Sequence, residues 1–221
     1  MQGLERKGKM KKTIAVIVVL VFLSSALFAQ WFVDGSLGFA YLSAKVTSKL
    51  GEESTSVKET TSALSTDASF MFFPGESRFG ADLGMSVLFP ISMTMDGVDI
   101  DMDFFDCDIC PRIGLAWKAD LNNSLVMLSS VGYEVMMDFG SETYGIVTVK
   151  TRSFVHGVYA QDRLVYKMNS NVRINAGLSL FFPIFGTMTE YISGTETKRT
   201  TNFTFSGILI NPFVGIDIKT K

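Results

Sequence analysis

The chain has 221 residues with 20 basic and 22 acidic side chains, a near-balanced charge that gives no basic stripe for nucleic acid. It is 47% hydrophobic with a mean hydropathy of +0.28, yet beyond residue 28 no uninterrupted apolar run approaches the ~20 residues that a membrane helix requires. Hydrophobicity dispersed by alternation argues against a helical membrane protein and favours a membrane barrel.

The one concentrated apolar segment is at the start. Lys11-Lys12, an uncharged stretch from Thr13 to Phe28 and then Ala29-Gln30 have the basic, apolar and small-residue order of a secretory signal peptide. Residues 1–29 are expected to be removed after Ala29, leaving one domain over 30–221, and Met10 is the expected true start. No Cys lies near the cleavage site, which argues against a lipoprotein. Removal takes five basic residues and one acidic one, so 20 − 5 = 15 and 22 − 1 = 21 remain, a net of −6.

The first expected strand sets Trp31, Val33, Leu37, Phe39 and Tyr41 against Asp34, Ser36, Gly38 and Ala40. Ser43 to Thr66, rich in Ser, Thr, Lys and Glu, reads as a long solvated loop. The second strand, Asp67 to Phe73, opposes Ala68, Phe70 and Phe72 to Asp67, Ser69 and Met71, and Pro74-Gly75-Glu76-Ser77 turns into a third, Phe79 to Phe89. Ile91 to Asp106 is a long acidic loop. The fourth strand places Ile109, Ile113, Leu115 and Trp117 against Asp108, Arg112, Gly114 and Lys118, and a short turn at Asn122-Asn123 leads to the fifth, Leu125 to Met137.

Asp138 to Arg152 reads as a further long loop. The sixth strand, Ser153 to Lys167, is irregular because Asp162 shares parity with Val158, Ala160 and Leu164, so a bulge or an interfacial position is expected there. Asn169-Ser170-Asn171 turns into the seventh strand, Phe185 to Asn202 is the last long loop, and the eighth strand runs towards the C-terminus.

An internal repeat supports this count. Gly84-Met-Ser-Val-Leu-Phe-Pro-Ile91 returns as Gly177-Leu-Ser-Leu-Phe-Phe-Pro-Ile184, an offset of 177 − 84 = 93. Pro111-Arg112-Ile113-Gly114 returns as Pro212-Phe213-Val214-Gly215. Eight strands joined by alternating long and short connections describe an all-β, antiparallel up-and-down barrel, which must close so that no edge is left unpaired in lipid. With both ends on the short-turn side, barrel convention puts the termini in the periplasm and four long loops outside.

The two faces separate this barrel from a soluble one. The polar parity is dominated by Gly, Ser, Ala and Asn with isolated charges of both signs, which suits the narrow lumen of eight strands. The other parity is Leu, Ile, Val, Phe, Tyr and Trp, and Trp31, Phe72, Phe79, Phe89, Trp117, Tyr166 and Phe182 near strand ends fit interfacial girdles. The Gly-x-Ser-x-x-Phe-Pro and Pro-x-x-Gly strand motifs, with this pattern over 30–221, resemble the small eight-stranded outer-membrane barrels of the OmpW and OmpX kind, especially the spirochaetal type. The sequence departs from the proteobacterial members by ending Ile218-Lys219-Thr220-Lys221, where those usually carry an aromatic assembly signal.

Asp82, Asp108, Arg112, Glu134, Arg163, Arg173 and Asp217 all share lumen parity, and buried charges must be paired, so they are expected to form a structural salt-bridge network that fills the barrel. Asp99-Ile100-Asp101-Met102-Asp103 opens like a calcium loop, but Phe104 replaces the required Gly and Cys110 stands where a bidentate Glu should close it. A strand reaching beyond the membrane explains that alternation better, and no metal site or other cofactor is expected. Cys107 and Cys110 have Cys-x-x-Cys spacing but no second pair, and are expected as two thiols at the outer rim, free or joined. His156 is the sole histidine, and Ser153 lies on the opposite face, so the His-x-Ser pattern of the lipid-modifying barrels is missing and no enzyme activity is expected.

Two functions are compatible with this pattern. One is a structural or surface-interaction barrel, adhesin-like, acting through its extracellular loops; the other, implied by the OmpW resemblance, is a narrow channel for small hydrophobic molecules. Expected partners are outer-membrane lipid, the barrel-assembly machinery and an extracellular ligand met by the loops. A monomer is expected, and no nucleic acid.

Overall fold

A computed structural model describes residues 30–50, 53–100, 107–144, 147–169, 172–192 and 198–220. The expected signal peptide and the start at Met10 lie outside the described residues. Among the described residues nine strands form one antiparallel sheet: β1 (Gln30–Leu50), β2 (Glu53–Phe73), β3 (Phe79–Met95), β4 (Val98–Ile100), β5 (Asp108–Asp120), β6 (Leu125–Tyr144), β7 (Val147–Lys167), β8 (Val172–Ile192) and β9 (Lys198–Thr220). The order β2-β1-β9-β8-β7-β6-β5-β3 is closed by the pairing of β2 with β3, so eight strands make a ring. The ninth, β4, pairs with β3 alone through Met93, Thr94 and Met95.

The expected count of eight is thus corrected to nine, eight in the wall and one beside it. The extra strand exists because Asp96 and Gly97 both take positive φ, 50° and 81°, as a two-residue hairpin turn requires. Asp96 also fixes this hairpin to β2: its Oδ1 accepts from the Lys58 amide at 2.7 Å, and its own amide donates to the Lys58 carbonyl at 2.8 Å. Residues 101–106, with the remainder of the calcium-like stretch, lie outside the described residues.

The larger correction concerns the four long loops. The Ser43–Thr66 stretch is not a loop: β1 and β2 pair without interruption from Gln30–Phe73 to Leu50–Glu53. β6 and β7 stay paired out to Tyr144 and Val147, and β8 and β9 out to Tyr191 and Lys198. Length explains the error. A strand of 21 residues at ~3.3 Å per residue and a tilt of ~40° climbs roughly 53 Å, about twice the ~25 Å apolar band of a membrane barrel. Beyond that band both faces are hydrated, so polar residues there do not signal a break in the strand.

Inside the band the parity reading holds. Leu115 is 73% exposed, Phe79 72% and Leu37 65%, all pointing outward, whereas Asp82, Asp217 and Arg163 on the other parity are at most 1% exposed. No water-facing surface would carry a continuous belt of such side chains; lipid requires one. At the end bearing the termini, Trp31 packs on Phe70 and Phe72 with centroids at 4.6 and 4.8 Å, and Phe79 faces Trp117 across the β3–β5 ladder. The turns at this end are made by their own side chains. Asn122 Oδ1 accepts from the amides of Ser124 and Leu125, at 2.8 and 2.9 Å, and Asn169 Oδ1 accepts from the Val172 amide at 2.7 Å.

Asp162 is exposed on the outward face, and its ladders to Ser129 and Leu178 run through it without a shift. The bulge expected there lies instead between His156 and Gly157, opposite Pro183. Proline has no amide to donate, so it is the residue around which this ladder breaks register.

Candidate functional site

The lumen is built in layers, each from inward residues of all the neighbouring strands. Nearest the end that bears the termini, Phe32, Met71, Phe73, Ala116, Val126, Leu128 and Val165 form an apolar cluster. Two cations cap its aromatic rings: the Arg173 guanidinium lies 4.9 Å from the Phe32 centroid, and Lys118 Nζ lies 5.4 Å from that of Phe73 while donating to Gln30 at 2.8 Å.

Ion pairs centred on two arginines come next. Arg112 on β5 makes a double hydrogen bond to Asp67 on β2, with Nη2 to Oδ1 at 2.9 Å, and its Nε lies 3.6 Å from Asp82 on β3. Tyr159 donates to Asp82 at 2.8 Å, and Ser86 donates to Asp67 at 2.6 Å. Arg163 on β7 lies 2.8 Å from Asp34 and 3.9 Å from Asp217, while Asn175 donates to both of those carboxylates. Gln161 Oε1 accepts from Arg163 at 2.8 Å and lies 3.5 Å from Arg112, so it stands between the two groups. Each of the four carboxylates thus has a neutral hydrogen-bond donor beside its arginine, the kind of pairing that buried charge requires.

Of the residues singled out from sequence, Asp82, Arg112, Arg163 and Asp217 meet in these pairs. Glu134 is buried and stands opposite Arg112 in the β5–β6 ladder, and Arg173 stands opposite Asp217 in the β8–β9 ladder. Asp108 lies higher, in the wall of the cavity described below. Asp34 and Asp67, which supply half of the ion-pair carboxylates, were absent from the candidate set although their lumen parity was legible. Tyr159, Gln161 and Asn175 carry no charge and gave no comparable signal.

The repeat has a steric cause here. Gly84 faces Arg112 across β3–β5, and a Cβ on it would stand 2.6 Å from the guanidinium carbon. Gly177 faces Phe213 across β8–β9, and a Cβ there would stand 2.5 Å from the ring and closer still to the Asp162 carbonyl oxygen. Each glycine makes room for a large lumen side chain from the next strand.

Above the ion pairs a second apolar cluster, including Leu42, Leu88, Cys110, Tyr159, Phe181 and Leu209, closes the lumen again. Over it opens a cup of about 730 Å³ on the hairpin side, with Leu42, Leu88, Val155 and Leu209 at its floor. Small side chains such as Thr61, Ala63, Gly140, Ser141 and Ser153 leave that space. Glu59 belongs to its wall; burial raises its carboxyl above the ordinary range, and Thr61 Oγ1 donates to it at 3.3 Å.

Of the two cysteines, only Cys110 departs from the expected outer rim, since Cys107 stands immediately before β5 begins. Cys107 lines the cup, Cys110 is buried beneath it, and both are free thiols. His156 is on the outer face, 2.5 Å from Tyr133 Oη and stacked on Phe185 at 4.7 Å, while Ser153 lines the cup on the other side of the wall.

The β8–β9 ladder beside the cup breaks register. The β8–β9 ladder pairs Phe181 with Leu209 and next Phe185 with Thr204, leaving Phe182, Pro183 and Ile184 without partners on β9. Pro183 and Phe205, on the two sides of this gap, both line the cup.

No family model matches the sequence, and no curated protein matches it. Among solved structures, the outer membrane protein OprG from Pseudomonas aeruginosa aligns with a TM-score of 0.61 at 14% identity, over 87% of this chain and 96% of that one. A major outer membrane protein from Thermus thermophilus aligns with a TM-score of 0.56 at 11% identity, over 87% and 99%. The fold is that of a bacterial outer-membrane β-barrel. With its outward apolar belt, the chain sits in the bacterial outer membrane.

Proposed function

We propose that the barrel takes small apolar molecules from the outside into its cup and passes them sideways into the bilayer, as an OmpW-like channel rather than an axial pore. The observation that carries this is the cup itself: it is open above, closed below by side chains, and bordered at Pro183 by the unladdered stretch of β8–β9. The ion pairs of Arg112 and Arg163 serve as a structural plug that keeps the axial path shut. A closed ring has no free edge strand, so the barrel works as a monomer once the assembly machinery has inserted it.

The test is a cross-link over the gap. With Cys107 and Cys110 replaced by Ser, an Ile184→Cys/Ser206→Cys pair is oxidised and uptake of a neutral apolar tracer into cells is measured. Oxidation is expected to abolish barrel-dependent uptake, and reduction to restore it, while binding of the tracer to the purified barrel stays unchanged. Uptake that survives the cross-link would overturn the lateral route.

A second reading, a surface-interaction protein, is favoured by the hairpins that stand well beyond the lipid band. Trimming β1–β2 back towards Ser43 and Thr60 separates the two, since it removes a docking surface and leaves the gap at Pro183 in place.

A further inference from the structure

We infer that the outward face of β7, β8 and β9, just above the lipid belt, binds a phosphorylated glycolipid of the leaflet at the hairpin end, its sugars against a strip of hydroxyls and its phosphate among three cations. The site lies outside the barrel wall and does not depend on the cup. Its cations are Lys150 and Arg152 on β7 and Lys198 on β9, gathered round Tyr191 on β8. Arg152 and Lys198 sit over the Tyr191 ring at 5.4 and 5.9 Å, and Lys150 and Lys198 are its ladder partners on either side. Thr151, Ser153 and Phe203 line the cup, so these three cations, on the other parity, point away from it, and all are exposed.

Like charges round one ring repel, and an anion placed among them offsets the repulsion. Their ladder neighbours among the described residues supply none: Arg152 pairs with Phe139 and Thr189, and Lys150 with Ser141 and Tyr191. Glu190 has the opposite parity to Tyr191 and faces Arg199 across β8–β9. The adjoining hairpin makes a useful contrast, because there Lys45 faces Lys58 across β1–β2, both exposed, and the chain brings its own carboxylate, Asp96, to the Lys58 amide.

The order of side chains along this face sets which lipid fits. At the top of the belt Tyr133, His156 and Phe185 stack, the kind of aromatic cluster found at headgroup level. Next comes a strip of hydroxyls and one amide, with Thr187 opposite Asn202 and Thr189 opposite Thr200, whose Oγ1 atoms lie 3.4 Å apart. The cations come last. Tyr191 is 191 − 185 = 6 residues beyond Phe185, roughly 15 Å higher at ~3.3 Å per residue and a tilt of ~40°. A phospholipid headgroup layer is only about 5–8 Å deep, so its phosphate falls short of the Tyr191 level. Sugars between acyl chains and phosphate span that distance and hydrogen-bond to the strip on the way. At the end of it the Arg152 guanidinium offers a phosphate two parallel N–H donors, and the lysines offer point charges.

The experiment is native mass spectrometry of the full barrel in detergent, titrated with three lipids: a bis-phosphorylated glucosamine-disaccharide lipid, the same lipid with both phosphates removed, and phosphatidylglycerol. The first is expected to bind about tenfold more tightly than either of the others. Lys150→Gln/Arg152→Gln/Lys198→Gln is expected to erase that preference, whereas Lys45→Gln/Lys58→Gln, which removes outward lysines from the adjoining hairpin, keeps it. Arg152→Gln alone is expected to lose part of it, which keeps the test open if the triple variant does not fold. Equal binding of the phosphorylated and dephosphorylated lipids, or a preference unchanged in the triple variant, overturns the site. Equal loss in the triple variant and in Lys45→Gln/Lys58→Gln reduces the effect to net charge and overturns it too. Phosphatidylglycerol binding as tightly as the phosphorylated glycolipid overturns the choice of lipid. None of these outcomes bears on uptake through the cup.

Discussion

The two halves of the lumen are made by the same strands with the same period, and they come out opposite. Towards the termini Arg112, Arg163, Tyr159, Phe213 and Met71 fill the ring; towards the hairpins Thr61, Ala63, Ser141 and Ser153 leave about 730 Å³ unfilled. An eight-stranded ring is just wide enough for side chains to fill, so whether a level is plug or cavity depends on residue volume rather than on backbone. The lower half also commits its side chains to one another through ion pairs that leave no tolerance for a missing partner. The upper half has room to accept a guest.

The contrast is broken most severely at Arg112. Arg112→Met leaves Asp67 and Asp82 buried without their cation, and a loss of about 3–5 kcal/mol is expected in urea unfolding of the barrel in detergent. Adding Asp67→Asn and Asp82→Asn should recover most of it; no recovery would mean that packing rather than charge holds this level. A smaller effect is expected at the repeat. In Gly177→Ala the new methyl meets the Phe213 ring and the Asp162 carbonyl, an overpacking cost of about 1–3 kcal/mol read by the same unfolding curve. The smallest effect on stability is expected in the upper half, where Ser153→Phe adds volume into open space and should move the unfolding free energy by no more than about 0.5 kcal/mol. It should nonetheless weaken binding of the apolar tracer severalfold. A large destabilisation by Ser153→Phe would show that the two halves are equally committed.

Much of the lower half was legible because its signals are local. Asp82, Arg112, Arg163 and Asp217 were placed inward by parity alone, and burial demanded that they pair. Their partners were not legible: Arg112 meets Asp67 on β2 and Asp82 on β3, a choice set by how the strands are staggered around the ring. The cup was not legible at all, since Thr61, Ser141 and Ser153 sit in stretches that read as loops or at their edge. Cys110 was misplaced for a related reason, because the level of the lumen floor depends on the stagger of strands far apart in the chain.

By itself, then, the sequence determined which side of each membrane-crossing strand meets lipid, because period two is a property of the strand alone and lipid accepts only one kind of face. It determined the ring of eight for the same reason, since paired alternating segments in a bilayer must close. Tertiary structure decided how far the strands run past the lipid, because outside the band both faces are wet and alternation carries no signal. It also decided which charges meet, and where the lumen stops being filled, because both depend on the register between strands and on the summed volume of side chains that reach one level from every part of the chain.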